Sequence, residues 1–284
     1  MAADRFRYQQ ALRLGERKIE ELGIDSLPVD PKAIAAQHHI VVKPKPPTAP
    51  GVSGFLMRAG EQFGIMYATN IDNEGRMRFT IAHELGHYFL PGHAEELFRG
   101  GNGLHESRSG FITRDPRELE ADHFASGLLM PGRLFSEAMD NAPDGFSGIQ
   151  TLADICQTSL TATAIRYAAL ADGVVAVVVS ERDRVVFCAM SEAIRDMKGL
   201  TWLGKGSVIA RDTETFRFNQ DRSNVYRARR SEAWSSLDLW LDDASEIEVK
   251  EDVVGLGGYG RTLTVLFTDE ETMPYDGEED EDDY

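Results

Sequence analysis

Between Arg78 and Leu90 the chain reads Arg78-Phe79-Thr80-Ile81-Ala82-His83-Glu84-Leu85-Gly86-His87-Tyr88-Phe89-Leu90, which sets two imidazoles four residues apart with a carboxylate directly after the first. An α-helix advances about 100° per residue, so His83 and His87 stand one turn apart on a common face. From that face two ring nitrogens can bind one Zn²⁺ at roughly 2.0–2.1 Å. Ile81, Ala82, Leu85, Tyr88 and Phe89 fall on the far side, so an apolar face backs the metal face. Glu84 projects beside the metal rather than behind it, where a carboxylate can take a proton from water during hydrolysis. An amphipathic helix with surface histidines is the plainer alternative; the side on which the apolar residues fall favours zinc-hydrolase chemistry. Such a centre needs a third protein ligand.

Two places compete for it. His93 follows His83 by ten residues, the spacing of the long metzincin motif. That motif requires glycine in its eighth place, where Leu90 stands here, and Gly92 comes two residues late. Glu118 is the stronger candidate. On the helix that Asp115-Pro116 opens, Ala121, Phe124, Ala125, Leu128 and Leu129 cluster on the side of Glu118. A carboxylate on a core-facing side needs a partner, and a metal already held by two histidines supplies one. Asp122, one turn on, can orient a ligating imidazole from behind. The competing reading makes Glu118 a capping residue in Asp115-x-x-Glu118. Glu120 points away from this face and is the fallback, while His105 and His123 read as loop and surface histidines.

Around these residues the composition is that of a globular protein: 284 residues, 42% hydrophobic and 27% charged. The longest apolar run, Val174 to Val179, is strand-length, far short of the roughly 20 residues of a membrane helix. The N-terminus has no basic-then-apolar export pattern, and Cys156 and Cys188 lack metal-type spacing, so a reducing cytoplasm is expected. Ten acidic side chains and no basic one fall in 269–284, so more than half of the net charge of −17 belongs to an acidic tail, expected to be disordered. An acidic body argues against nonspecific nucleic-acid binding.

The elements that must position the site follow in chain order. A first helix is predicted over 5–22, and a second opens with Asp30 as N-cap and Pro31 at its first position. Ile40-Val41-Val42 reads as a strand, and 53–58 with 62–67 as a hairpin whose edge can take an extended peptide as an added strand. Pro91-Gly92 stops the metal helix, and the glycine-rich stretch 93–114 reads as a long loop. Beyond Met130, two helices over 149–156 and 160–170 form a pair compatible with a helix-turn-helix, although Arg166 and Tyr167 make a poor set for reading bases. Residues 173–268 suit an α/β module, with strands at 174–179, 185–190 and 263–268. Residues 211–230 hold three more arginines than acids, which reads as a solvated face or an anion site. Gly255-x-Gly257-Gly258-x-Gly260 follows no recognisable strand and opens no helix, against a nucleotide loop.

The chain resembles the ImmA/IrrE family of metallopeptidases. The resemblance rests on Val29-Asp30-Pro31, Gly54, the stretch Arg78 to His87, and Glu118-x-x-Ala121-Asp122-x-Phe124-Ala125 followed by Leu128-Leu129-Met130-Pro131. It covers 5–135 and implies His83, His87 and Glu118 as ligands of Zn²⁺, with Mn²⁺ or Fe²⁺ also accepted by such a set, and Glu84 as general base. It further implies an α+β, zincin-like (gluzincin) peptidase domain with a small, mostly antiparallel sheet, a helical linker, and a GAF-like sensory domain as in radiation-resistance regulators. The expected boundaries are 1–140, 141–172 and 173–268, followed by the tail at 269–284. Members of the family cleave Xre-type helix-turn-helix repressors to release stress, DNA-damage or mobile-element genes, so the expected partner is such a repressor and no membrane. The alternative is a non-catalytic ligand-sensing or DNA-binding regulator with a structural metal.

Overall fold

A computed structural model describes residues 2–46, 51–69, 73–101, 103–108, 115–197, 203–241, 244 and 246–268. The acidic tail expected over 269–284 lies outside these residues. The chain forms two compact units, Met1–Pro143 with Gly148–Arg166, and Asp144–Ser147 with Tyr167–Tyr284. Helices and strands mix in both, an α+β architecture.

The first unit opens with a long helix α1 (Ala2–Glu21) and a short α2 (Pro31–Gln37), where the Asp30 side chain accepts the Lys32 N–H as N-cap. Strands β1 (Val41–Lys45), β2 (Gly54–Ala59) and β3 (Gln62–Ala68) then lead to α3 (Glu74–Phe89), capped by Asn73 through the Arg76 N–H. A cap of this kind contributes about 1 kcal/mol and sets where the helix begins, hence the rotation of every residue after it. Arg78 on α3 is buried and donates to the Val29 carbonyl, tying the start of this helix to the Val29-Asp30-Pro31 segment.

The stretch after α3 departs from the expected loop. It holds a short helix α4 (His93–Leu97) and a strand β4 (Leu104–Ser107) before α5 (Pro116–Leu129); 109–114 lie outside the described residues. The four-stranded sheet has the order β1-β3-β2-β4, parallel between β1 and β3 and antiparallel elsewhere. The hairpin is therefore covered on both sides, and the sheet edge beside α5 is β4, not the hairpin edge read from the sequence.

Close helix contacts hold the unit together. A Cβ on Gly15 of α1 would lie 2.3 Å from the Phe124 carbonyl oxygen, and one on Gly127 of α5 would lie 2.1 Å from that of Leu12, so backbone meets backbone where α1 crosses α5. Gly86 of α3 does the same against Ala121 of α5, where an added Cβ would sit 3.1 Å from the Ala121 Cα. Three helices thus pack tightly enough to bury α5 on two sides. The unit continues through α6 (Gly132–Met139) and α7 (Gly145–Cys156) to α8 (Leu160–Leu170), which leads the chain into the second unit. Arg166 is buried and donates to the Met130 carbonyl and the Glu16 carboxylate, which removes the best base-reading side chain of the α7–α8 pair from any surface.

The second unit is built on a sheet of order β6-β5-β9-β8-β7, every pair antiparallel, in contrast to the α/β module expected. Its elements are β5 (Val175–Glu181), β6 (Arg184–Met190), α9 (Glu192–Arg195), α10 (Glu214–Gln220), α11 (Arg222–Tyr226), β7 (Arg230–Ser236), β8 (Glu248–Gly255) and β9 (Thr262–Phe267). Ala176, Val178, Val249 and Leu266 of the sheet pack with Ile194, Ile209, Leu237 and Trp240 into one core. The glycine-rich 255–260 stretch does follow a strand, β8, and turns into β9 rather than a helix, so it is a hairpin loop. Of the arginines in 211–230, Arg217 pairs with Glu214 at 3.0 Å and Arg230 with Asp252 at 2.9 Å. Both cysteines are free, and burial pushes both thiols up to about 12, so neither serves as a nucleophile. Among the described residues no helix is long and apolar enough to cross a membrane.

Candidate metal centre

Helix α3 is buried on all sides across its middle, so His83, Glu84 and His87 are enclosed along with Ile81, Ala82 and Leu85. The two imidazoles meet at their Nε2 atoms, 3.1 Å apart. Glu118, from the first turn of α5, brings Oε1 to 3.1 Å from His87 Nε2 and Oε2 to 3.6 Å from His83 Nε2. Tetrahedral ligands at zinc distances are separated from one another by about 3.3–3.4 Å. The three separations lie near that value, with a different Glu118 oxygen nearest each imidazole, so the donor groups converge on a space that one ion would fill. Among the described residues this trio alone forms such a group, with donor atoms within 4.8 Å of one another.

The groups around the trio set its charge. Burial opposes a proton on His83, but hydrogen bonds to Asp122, at 2.8 Å from Nδ1, and to Glu118 override it and raise the ring to about 10. His87 has no such carboxylate behind it; burial lowers it to about 3 and leaves it neutral. Burial works against charge on Glu118 too, yet hydrogen bonds from His105 and His83 hold its carboxyl far below the usual range. Arg108 N–H also donates to its Oε2, at 2.9 Å. Glu118 therefore does not turn back to cap its own helix. Asp115 does that through the Arg117 N–H. An ionised carboxylate, a neutral imidazole and an imidazole whose proton a metal can displace make a donor set that fits a divalent cation.

Glu84 lies under β2. A Cβ on Gly54 would stand 2.4 Å from Glu84 Oε1 and 2.6 Å from Thr80 Cγ2, so only glycine lets the strand pass over this carboxylate. Glu84 Oε2 accepts the Ser107 hydroxyl at 3.1 Å, whereas buried Oε1 has no hydrogen-bond partner. Burial, only partly offset by His83 and Ser107, pushes the carboxyl up to about 7. A carboxylate tuned toward neutrality with one oxygen left over is suited to taking up a proton.

Three residues enter the site against the expectation from sequence. His105 is on β4, not in a loop, and its Nε2 donates to Glu118 Oε1 at 3.0 Å while its ring stands edge-on to His87 at 5.0 Å. His93 is buried beside His87 rather than among the donor trio. Glu120, expected to face away, is buried between His93 and Arg7 of α1. A single helical wheel could not show this, because α1 covers the side of α5 that α3 leaves free. His123 is partly buried and stacks on Tyr8 at 5.1 Å.

Residues 35–166 match the model of the IrrE N-terminal-like domain, Peptidase_M78. No curated protein matches the chain. Among solved structures the fold is similar to that of a Mycobacterium tuberculosis transcriptional regulator, with a TM-score of 0.56 and 14% identity over 91% of this chain and 76% of the other. The matched segment runs from α2 through the donor trio into α8, so this part of the chain carries an IrrE N-terminal-like domain of the Peptidase_M78 type, which supports the ImmA/IrrE assignment that its motifs suggested.

Proposed function

We propose that the chain is a zinc-dependent endopeptidase, in a gluzincin-like site, that cleaves an Xre-type helix-turn-helix repressor in the cytoplasm. The observation that carries this is the count of donors: three protein ligands are what catalytic zinc sites use, whereas structural sites close with four. When bound there, the metal would polarise the scissile carbonyl and acidify a water. His83, His87 and Glu118 hold it, and Asp122 orients His83. Glu84 takes the proton of the attacking water on its free oxygen and passes it to the leaving amine. The outer side of β4 has no partner strand among the described residues, so an extended peptide can add there, next to Glu118 and Glu84. The antiparallel sheet of the second unit suits a GAF-like sensory role, which would tie cleavage to a signal.

Incubation of the full chain with an Xre-type repressor, with and without chelator, tests this reading. Discrete cleavage that stops with chelator and returns with Zn²⁺ is expected; a repressor left intact at every metal supplied would overturn it. The similarity to a protein named a transcriptional regulator suits a second reading, a regulator whose metal is only a staple. That reading needs a fourth protein donor, and it needs DNA contacts from somewhere other than the buried Arg166.

In this reading His105 of β4 turns its Nε2–H from Glu118, where it is held at 3.0 Å, to the oxygen of a substrate carbonyl. In the mechanism proposed, His105→Phe should lower kcat by about 10²–10³-fold, the effect of losing one donor to a developing oxyanion, with zinc content unchanged. If zinc affinity falls instead and kcat per bound zinc does not, His105 only supports Glu118.

A further inference from the structure

His93 has the spacing of a ligand but not the place of one, and its surroundings assign it different work. His87 Nδ1 and His93 Nδ1 face each other at 3.1 Å, and His93 Nε2 lies 2.8 Å from Glu120 Oε2. The other oxygen of Glu120 is held by Arg7 Nε at 2.6 Å. Protons can be counted inward along this line. Glu120, paired with a guanidinium, is an acceptor only, so His93 Nε2 carries a hydrogen. A neutral His93 then has a bare Nδ1, which must accept, so the hydrogen between the two rings sits on His87 Nδ1. That leaves the His87 Nε2 lone pair facing His83 Nε2 and Glu118 Oε1.

We propose that His93, backed by Glu120 and Arg7, is a positioning residue that locks His87 in the tautomer that binds the metal. The inference rests on the ligand assignment above and adds to it how the second histidine is held. The two imidazoles are oriented by different devices. Asp122 reaches His83 directly from α5, whereas Glu120 addresses His87 only across the ring of His93. The chain turn after α3 supplies that ring: Gly92, at φ 82° in the left-handed region, redirects the backbone so that α4 begins on His93.

Zinc affinity of the full chain, measured by competition with a coloured chelator, reads this out without any substrate. His93→Leu should weaken zinc by about 10–100-fold, the usual cost of losing an orienting hydrogen bond behind a ligand. His93→Gln, whose amide can accept from His87 and donate to Glu120, should recover most of that loss. Glu120→Leu added to His93→Leu should weaken zinc no further, because both remove the same line. A role confined to packing would lower thermal stability without separating Gln from Leu. Wild-type zinc affinity in folded His93→Leu, or Gln as poor as Leu, overturns the proposal. Should His93→Leu fail to fold, Glu120→Gln decides, since it keeps the shape and loses the charge that fixes the proton on His93: weaker zinc supports the line, and unchanged affinity removes it. If His87→Ala also binds zinc like wild type, the ligand assignment fails, not only its support.

Discussion

Glu84→Gln is expected to keep zinc bound at wild-type stoichiometry and to lower repressor cleavage by about 10²–10⁴-fold, the range that a positioned general base contributes. The amide has the shape of the carboxylate, can still take the Ser107 hydroxyl on its oxygen, and reaches under Gly54 in the same way. It cannot accept a proton. Glu84 is not among the three donors that converge, so the metal has no reason to leave. The wild-type rate should carry the signature of the same group. Only the ionised form of Glu84 acts as base, so kcat/KM should fall as pH drops through its pKa. Burial sets that value at about 7, and the positive charge of a bound metal pulls it lower, so the acid limb should lie below neutrality. Single-turnover cleavage with metal content measured on the same samples decides the matter. Wild-type turnover by zinc-loaded Glu84→Gln would refute the base assignment whatever the pH profile shows.

The grouping of His83, His87 and Glu118 was legible in the sequence because each part is local. One turn of helix fixes the two imidazoles, and Glu118 announces itself as a carboxylate on the apolar side of its own helix. What supports the trio was not legible, because it depends on which segments meet. Glu120 looks solvent-facing if α5 is given one buried side, and Gly127 against Leu12 shows that it has two. His105 sits in a four-residue strand amid glycines, too short to leave an alternating pattern, and pairing with Leu56 alone aims it at Glu118. In the second unit, β7 and β8 were missed for a related reason. β7 offers few apolar residues, and β8 buries Glu251 and Asp252, which read as surface charges until Thr215 is seen to hold one oxygen of Glu251 and Arg230 to pair with Asp252. Buried polar groups paired across long sequence distances are invisible to any local pattern, and here they gather where the site and the second sheet are built.

His87→Ala is expected to lose metal and activity together, and stability supplies a measure that needs no substrate. A ligand that binds only the folded chain adds RT ln(1 + [L]/Kd), about 4 kcal/mol at a thousandfold excess over Kd. For a unit of this size that corresponds to a rise in Tm of roughly 8–16 °C. Wild-type chain should show such a rise on adding Zn²⁺ and lose it with chelator. His87→Ala should show little of it, because two donors at 3.6 Å cannot replace three, and because the mutation also removes the partner of His93. Glu118→Ala should behave alike, with a further cost: His105 and Arg108 N–H lose their shared acceptor, so the metal-free protein should already be less stable. Asp122→Asn marks the boundary of the effect. It leaves all three donors in place and weakens only the hydrogen bond behind His83, so its zinc-dependent rise should be reduced rather than abolished. That ordering, with wild type above Asp122→Asn and Asp122→Asn above His87→Ala and Glu118→Ala, separates ligands from their supports. An equal rise in His87→Ala and wild type would show that zinc binds elsewhere, and with it the trio would cease to be the metal centre.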